Sequence, residues 1–452
     1  MAKASETLQL SRERDFTIVF KTFFFGDGNG SYPDRRIYIC EKNDRIKRLL
    51  KMKPNLMILG ASGGLANAVL HSLVHHRNLF NRLILVDKNK KLITNSYLDH
   101  QNLKYSFIHK ELKSGRMDEY HKLLKKHKID LVIDVTDALT IPIIETTNNA
   151  GIDYINTSIN DDNKTSPELI SEIFSKRDSW KEARSILCSG MNPGNVNMWI
   201  RYGIEKFGLP QEIVHFEYDT SMSRKEKAMI TWSVHEFLVE DIRDPGGVVL
   251  GKDKVKLLFP NALAHQVDMK PILSPILRLE KYPKGCPVVH EENLTIGFKY
   301  NVPSKFIYAV HPKTMEALIK IYKKKKNIYL TDLQKGDNTT TILDGSDNIG
   351  VLLKYKNKKV YYLNSIANTS VVGTNATYTQ VVVGVFAALF VLLFDQLPKG
   401  TYFVEDLYET HYKNYMFDNM HVQEFVFNSD KLKKYTPSIK LPHKNGLGHL
   451  YV

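Results

Sequence analysis

A glycine-rich turn joins a short apolar run to a helix. Leu56-Met57-Ile58-Leu59 leads into Gly60-Ala61-Ser62-Gly63-Gly64, and a helical pattern continues through His75. A strand that ends in such a turn and passes straight into a helix fits the opening unit of a parallel, doubly wound sheet. The following residues keep the same rhythm. Predicted strands at 83–86, 105–108, 131–135, 154–156 and 185–188 alternate with predicted helices at 117–127, from 140, and at 167–184. Mostly apolar strands separated by helices indicate a sheet covered on both faces.

After Asn192 strands follow one another with few helices between, at 212–218, 255–259, 305–310 and 351–353. The fold class is therefore α/β: a Rossmann-type doubly wound parallel sheet plus a second α+β domain with a mixed or antiparallel sheet. The expected division is an N-terminal arm at 1–53, a nucleotide-binding domain at 54–192, a substrate and dimerisation domain at 193–374, and C-terminal helices at 375–452 that return to the first domain. In the arm, the Gly26–Gly30 cluster marks a turn between two β-like runs. The longest apolar run, 381–394, covers roughly 21 Å as a helix, short of a ~30 Å hydrocarbon core, and predicts not a membrane span but part of one long buried helix at 375–397, stopped by Pro398.

The turn implies a ligand. Backbone N–H groups at a helix start, with the helix dipole behind them, face a pyrophosphate well. Gly60 and Gly63 fit that role and Gly64 adds freedom, whereas Ser62 stands where a second glycine is usual. Asp87 ends the second predicted strand, 27 residues after Gly60. A carboxylate there accepts from a ribose and repels a 2′-phosphate, favouring NAD over NADP, although Lys88 tempers the preference. The plainer reading is the same scaffold without a cofactor.

The net charge of +14 raises the question of nucleic acid, but the lysines are scattered and the one dense run, Lys323 to Lys326, ends a helical pattern. A solvated basic surface accounts for it. Three cysteines, Cys40, Cys188 and Cys286, match neither a zinc spacing nor a disulfide framework. No metal is expected from them, and with a polar stretch from Met1 to Arg12 they suggest a reducing, cytoplasmic setting.

Against this basic background one segment is acidic and aromatic. It runs His215-Phe216-Glu217-Tyr218-Asp219-Thr220 and then, after a basic stretch, Thr231-Trp232-Ser233-Val234-His235-Glu236 to Glu240-Asp241. An indole face between carboxylates suits a small organic cation. The alternative is a core tryptophan in an ordinary strand with a solvated acidic edge.

Seven short motifs in order then point to one family: Ser189-Gly190-Met191-Asn192-Pro193-Gly194, Glu217-Tyr218-Asp219-Thr220, Thr231-Trp232-Ser233-Val234 with Glu240 behind, His290-Glu291-Glu292-Asn293, Val310-His311-Pro312, Asp347-Asn348-Ile349-Gly350, and Asn375-Ala376-Thr377. The chain resembles the bacterial-type homospermidine synthases, relatives of the saccharopine dehydrogenases, over roughly residues 54–425. The resemblance implies an NAD-dependent transferase without net oxidation, joining two putrescines, or putrescine and spermidine, through an imine held in the enzyme. It implies a homodimer as well. Carried over residue by residue, it gives Trp232, Glu217 and His290 catalytic roles: cation stabiliser, substrate acid and proton relay. It places Asp137, Asn192, Glu240, Asn160 and Asp347 at the substrate, and Thr136 with Gly60, Ser62, Gly63, Gly64 and Asp87 at the cofactor.

Several of these have plainer readings. Asn192 reads equally as a cap for the helix near Asn195, Asp137 as a helix cap, and His290 as a structural histidine. His311, before Pro312, reads as structural. Three departures from the family pattern fall, on this reading, around the substrate entrance. Asn160-Asp161-Asp162 stands where Glu-Pro-Trp is usual, Asp244 to Gly251 replaces a Gly-Trp-Gly-Thr-His-Glu stretch, and Ile230 replaces an asparagine. A net amine dehydrogenase of the saccharopine or carboxynorspermidine kind, and a non-catalytic NAD-binding scaffold, are the competing readings.

Overall fold

The structure, a computed structural model, describes residues 53–93, 103–223, 228–252, 254–336 and 343–441. The predicted arm and Cys40 lie outside the described residues.

The first sheet has seven strands, all parallel, in the order Gly400–Phe403, Arg184–Leu187, Asp153–Asn156, Leu131–Asp134, Asn55–Leu59, Arg82–Asp87, Ser106–His109. The interior strand Asn55–Leu59 is almost wholly buried, as a strand covered by helices on both faces must be. The helix expected at 167–184 is shorter. Thr165 and Glu168 cap each other at its start, and it ends as Ser166–Lys176 before a 3₁₀ turn at Arg177–Ser179. Arg184 already belongs to the next strand, where its guanidinium and backbone N–H both meet Asp153.

The second sheet is mixed. Its main path runs Lys254–Phe259, Gly246–Gly251, Ser304–Val310, Glu212–Asp219, Ser346–Lys354, Lys359–Ala367, Gln423–Asn428, Lys431–Thr436. Only the pairing of Ser304–Val310 with Glu212–Asp219 is parallel. Side chains alternate across a strand, so this central pair sorts its residues into two sets. Val214, Phe216, Ile307 and Ala309 pack in one apolar cluster with Met269, Leu273 and Leu352. The opposite set, His215, Glu217 and Asp219, lies in register beside Phe306, Tyr308 and Val310. That polar and aromatic set faces the first domain.

The apolar helix Ala376–Phe394 joins the two sheets. It falls within the expected helix at 375–397, and although it is long and apolar enough to cross a membrane, 78% of its most apolar stretch is buried inside the fold. Burial, rather than length, is what marks it as a core helix. Its packing against the helix Gly64–His76 brings its first turn to the glycine turn: a Cβ on Gly64 would lie 2.5 Å from the Tyr378 ring. The chain then returns to the first sheet as Gly400–Phe403, before adding two strands to the second.

Candidate functional site

A cleft of about 850 Å³ lies between the sheets, and the glycine turn, Asp87, Thr136, Asp137, Asn192, Glu217, Trp232, Glu240 and His290 all line it.

The first wall suits a dinucleotide. Gly60 has φ +78°, and a Cβ there would lie 2.7 Å from the Val135 carbonyl oxygen, so only glycine allows the Leu59 strand to turn so close to its neighbour. Gly63 begins the helix without any side-chain cap, and its first turn carries no acid, which leaves this positive helix end to the cleft. Asp87 accepts from the backbone N–H of Ser62 and of Asn89, each at 2.8 Å, and thereby ties the turn to the second strand. Thr136 is held by Asp134, to which it donates through both N–H and hydroxyl. Gly60→Ala is expected to weaken NADH binding at least ~10-fold, because a strained αL residue and a backbone clash fall on the phosphate turn. An unchanged dissociation constant by fluorescence titration would contradict this.

The second wall is acidic and aromatic. Trp232 is half-buried and sits in the bend between Met229–Ile230 and the short helix Val234–Phe237, not inside a strand. Its indole N–H donates to the Tyr308 hydroxyl at 3.0 Å, and the two rings meet edge to face, 5.9 Å between centroids. Glu217 is buried and accepts from the Asn192 side-chain amide. Gly194, not Asn192, caps the helix Asn195–Phe207. Burial pushes the Glu217 carboxyl up to about 8; the Asn192 amide opposes this and the Asp219 charge adds to it.

His290 precedes the helix Glu291–Tyr300 and is enclosed by acids. Its Nε2 lies 3.2 Å from Glu240, and its Nδ1 lies 2.9 Å from Glu291 and closer still to Glu292. Burial alone would lower the affinity of this imidazole for a proton. The charges of Glu240, Glu292 and Glu291 outweigh it and hold the pKa well above the ordinary histidine value. One imidazolium cannot neutralise three carboxylates. Glu291 draws on His290 and on the Ile159 N–H, which overcome burial and keep its pKa low. Burial pushes Glu240 up to about 8 despite His290. Among the described residues, His290, Glu291 and Glu292 are the group compact enough to hold a metal ion.

At the mouth, His235 contacts Glu236 at 2.9 Å and Asp162 at 3.8 Å, and Asp137 is exposed beside Ser233. The Glu236 contact raises the His235 pKa against its partial burial. Leu139, not Asp137, is the residue before the helix Thr140–Asn149.

Two predicted substrate residues do not line the cleft. Asn160 is buried behind it, donating its side-chain amide to the Thr136 carbonyl and its backbone N–H to Thr140, and so braces the cofactor wall. Asp347 is fully buried on the strand next to Glu217 and accepts from Gln380 at 3.0 Å. The departures expected at the entrance also sit elsewhere. Gly246–Gly251 is a sheet strand, and Ile230 is fully buried and pairs with Lys335; of the third segment only Asp162 reaches the cleft. Tyr308, Phe306, Glu236 and Tyr378 line the site without having been singled out in the sequence. For Tyr308 a signal existed: it shares one face with Phe306 on a strand of predictable period.

The acid-rich wall has a thermodynamic consequence. Glu217 and Glu240 keep protons in the folded chain up to about pH 8, but in the unfolded chain they lose them near 4.5. Between those values the folded state binds more protons, so stability falls as pH rises. His290 acts in the same sense above 6.5, since folding retains its proton. Thermal melts of the ligand-free protein are expected to fall from about pH 5 to about pH 8. A flat or rising melting temperature over that window would show that the wall is ionised or open to water.

Residues 56–188 match the model of the saccharopine dehydrogenase NADP binding domain. No curated protein matches the chain. Among solved structures, an amine dehydrogenase from Mycobacterium smegmatis aligns at 10% identity over 78% of this chain and 95% of its own, with a TM-score of 0.36. The WlbA (WbpB) dehydrogenase from Thermus thermophilus, in complex with NAD and alpha-ketoglutarate, aligns at 8% identity over 80% and 94%, with a TM-score of 0.35. Likenesses this distant say nothing about substrate. The uncapped helix, the tight glycine turn and the domain match agree on the coarser point: residues 56–188 are a nicotinamide-dinucleotide-binding domain similar to that of the saccharopine dehydrogenases.

Proposed function

We propose that this chain is an NAD-dependent enzyme of amine chemistry, of the homospermidine synthase type, acting on putrescine and, as a second acceptor, spermidine. The observation that carries the reading is the pairing of a dinucleotide wall with an acidic, aromatic wall across one cleft. A diamine is a dication at neutral pH, and a basic protein that gathers carboxylates around an indole has built a place for one.

When bound, the nicotinamide supplies a hydride acceptor that can return the same hydride, so one amine is exchanged for another without net oxidation. The residues supply the rest. Glu217, oriented by Asn192, takes the ammonium at the inner end of the cleft and accepts its proton. The Trp232 ring, fixed by Tyr308, favours the positive charge that grows on the amine carbon as hydride leaves. Glu240 is held by the His290 imidazolium, and the two can pass a proton to the departing ammonia. Burial of this wall limits water, which would hydrolyse an imine. Asp87 supports NAD, since its carboxylate at the end of the second strand opposes a 2′-phosphate.

The domain match gives a second reading some weight, a net dehydrogenase acting on an amino-acid amine. Such substrates carry carboxylates that call for an arginine, and among the described residues none lines the cleft. Melting the protein with saturating NADH and either putrescine or saccharopine separates the two. The proposal expects stabilisation by putrescine alone; stabilisation by saccharopine alone would replace it with the dehydrogenase reading.

A further inference from the structure

Behind the cation wall three carboxylates share one face of two paired strands. Asp219 follows Glu217 by two residues, so both leave the Glu212–Asp219 strand on the same side. Across the antiparallel ladder, Asp347 is the register partner of Asp219. The three residues are 4%, 3% and 0% exposed. Their hydrogen-bond donors are neutral: the Asn192 amide for Glu217, the Ser221 N–H and Thr231 hydroxyl for Asp219, and the Gln380 amide for Asp347.

The other ionisable groups that face this triad are few. Tyr308 stands beside Glu217 on the adjoining strand. His290 and Glu292 approach Glu217 from the start of the Glu291–Tyr300 helix, and His311 approaches Asp219 from the start of the Pro312–Lys325 helix. The helix Ala376–Phe394 contributes only neutral groups, Thr377 and Gln380. His290 is already committed to Glu240, Glu291 and Glu292. Like charges set opposite one another in a ladder repel, and in a dry interior they cannot all ionise. Burial, and then the charges of Glu217 and Asp219, push the Asp347 carboxyl well above its usual range.

We propose that Asp219, set opposite Asp347 in the ladder, acts through Glu217, keeping it a neutral acid in the empty cleft, so that an ammonium enters as a proton leaves. The proton goes from the Glu217 carboxyl to solvent, and the ammonium takes its place as the counter-charge. Asp219 is thus a positioning residue whose contribution is charge, while Asp347, fully buried beside it, keeps its own proton. The cleft avoids holding a bare buried anion when empty, and it favours amines that arrive charged. The inference rests on the amine reading for its ligand but not for the protonation itself.

Asp219→Asn keeps the shape of the side chain beside the Thr231 hydroxyl while removing the charge. In the ligand-free protein, infrared titration follows the neutral carboxyl band that Glu217→Gln removes. The expected result is that this band ionises at a pH lower by about one unit in Asp219→Asn than in wild type. An unchanged midpoint would overturn the proposal. Asp219→Ser provides the same comparison if Asp219→Asn does not fold, and melts of both establish folding. Calorimetry with putrescine in two buffers of different ionisation heat then reads the coupling. Wild type is expected to release about one proton per ligand near neutral pH, and Asp219→Asn clearly less. Equal proton release by both proteins would overturn the proposal. Absence of any putrescine heat would instead defeat the amine reading, leaving the infrared result to decide the carboxyl pair.

Discussion

Trp232→Ala is expected to lower kcat/KM for a diamine by roughly 30-fold, about 2 kcal/mol, while NADH affinity stays within about two-fold of wild type. The indole belongs to the second sheet's side of the cleft, and its contacts are with Tyr308 and Phe237 rather than with the glycine turn. Loss of the ring therefore removes stabilisation of positive charge without touching the phosphate site. Steady-state kinetics and a fluorescence titration check the two halves separately. Equal losses in both would mean that Trp232 is only a packing residue.

His290→Ala is expected to cost more in stability than any other single change in the cleft. It strips the imidazolium from Glu240, Glu291 and Glu292, and removing one partner from a buried ionic cluster costs about 3–5 kcal/mol. The deficit has a pH signature. Without the cation Glu240 and Glu291 hold their protons more tightly, so lowering the pH toward about 5 neutralises them and restores part of the stability. Urea melts at two pH values test this. A deficit that is the same at both would assign His290 a packing role and leave Glu240 without its partner.

Much of the first domain was legible because its signals are local. A strand, a glycine turn and a helix follow one another within a few residues around Gly60, and Asp87 falls at the predicted strand end. The seventh strand, Gly400–Phe403, was not, because it pairs with Arg184–Leu187, more than two hundred residues earlier. The site divided along the same line. Glu217, Asn192 and Trp232 stood out as residue types in an unusual setting, and the fold brings them to one cleft. The second row did not stand out: Asp347 looked like a ligand because its motif carries it, yet its ladder partner Asp219 places it behind Glu217. Asn160 likewise turned out to brace the Thr136 loop. Neither fact is written in spacing along the chain, since both depend on which strands pair. Two of the three departures from the family pattern, at Ile230 and at 244–251, were misplaced for the same reason, whereas Asp162 of the third does reach the mouth. Gly246 and Gly247 were expected around the substrate entrance, but their small size admits close strand packing: a Cβ on Gly247 would meet the Lys256 carbonyl oxygen at 2.6 Å.

The most direct test of the account is turnover of putrescine with substoichiometric NAD. The cleft described here joins a dinucleotide site to a diamine site, so the same bound cofactor should give back each hydride that it takes. The expected result is homospermidine and ammonia in amounts that exceed the added NAD many times over, with no accumulation of NADH. Formation of NADH in step with putrescine consumed, ending when the NAD is exhausted, would contradict it.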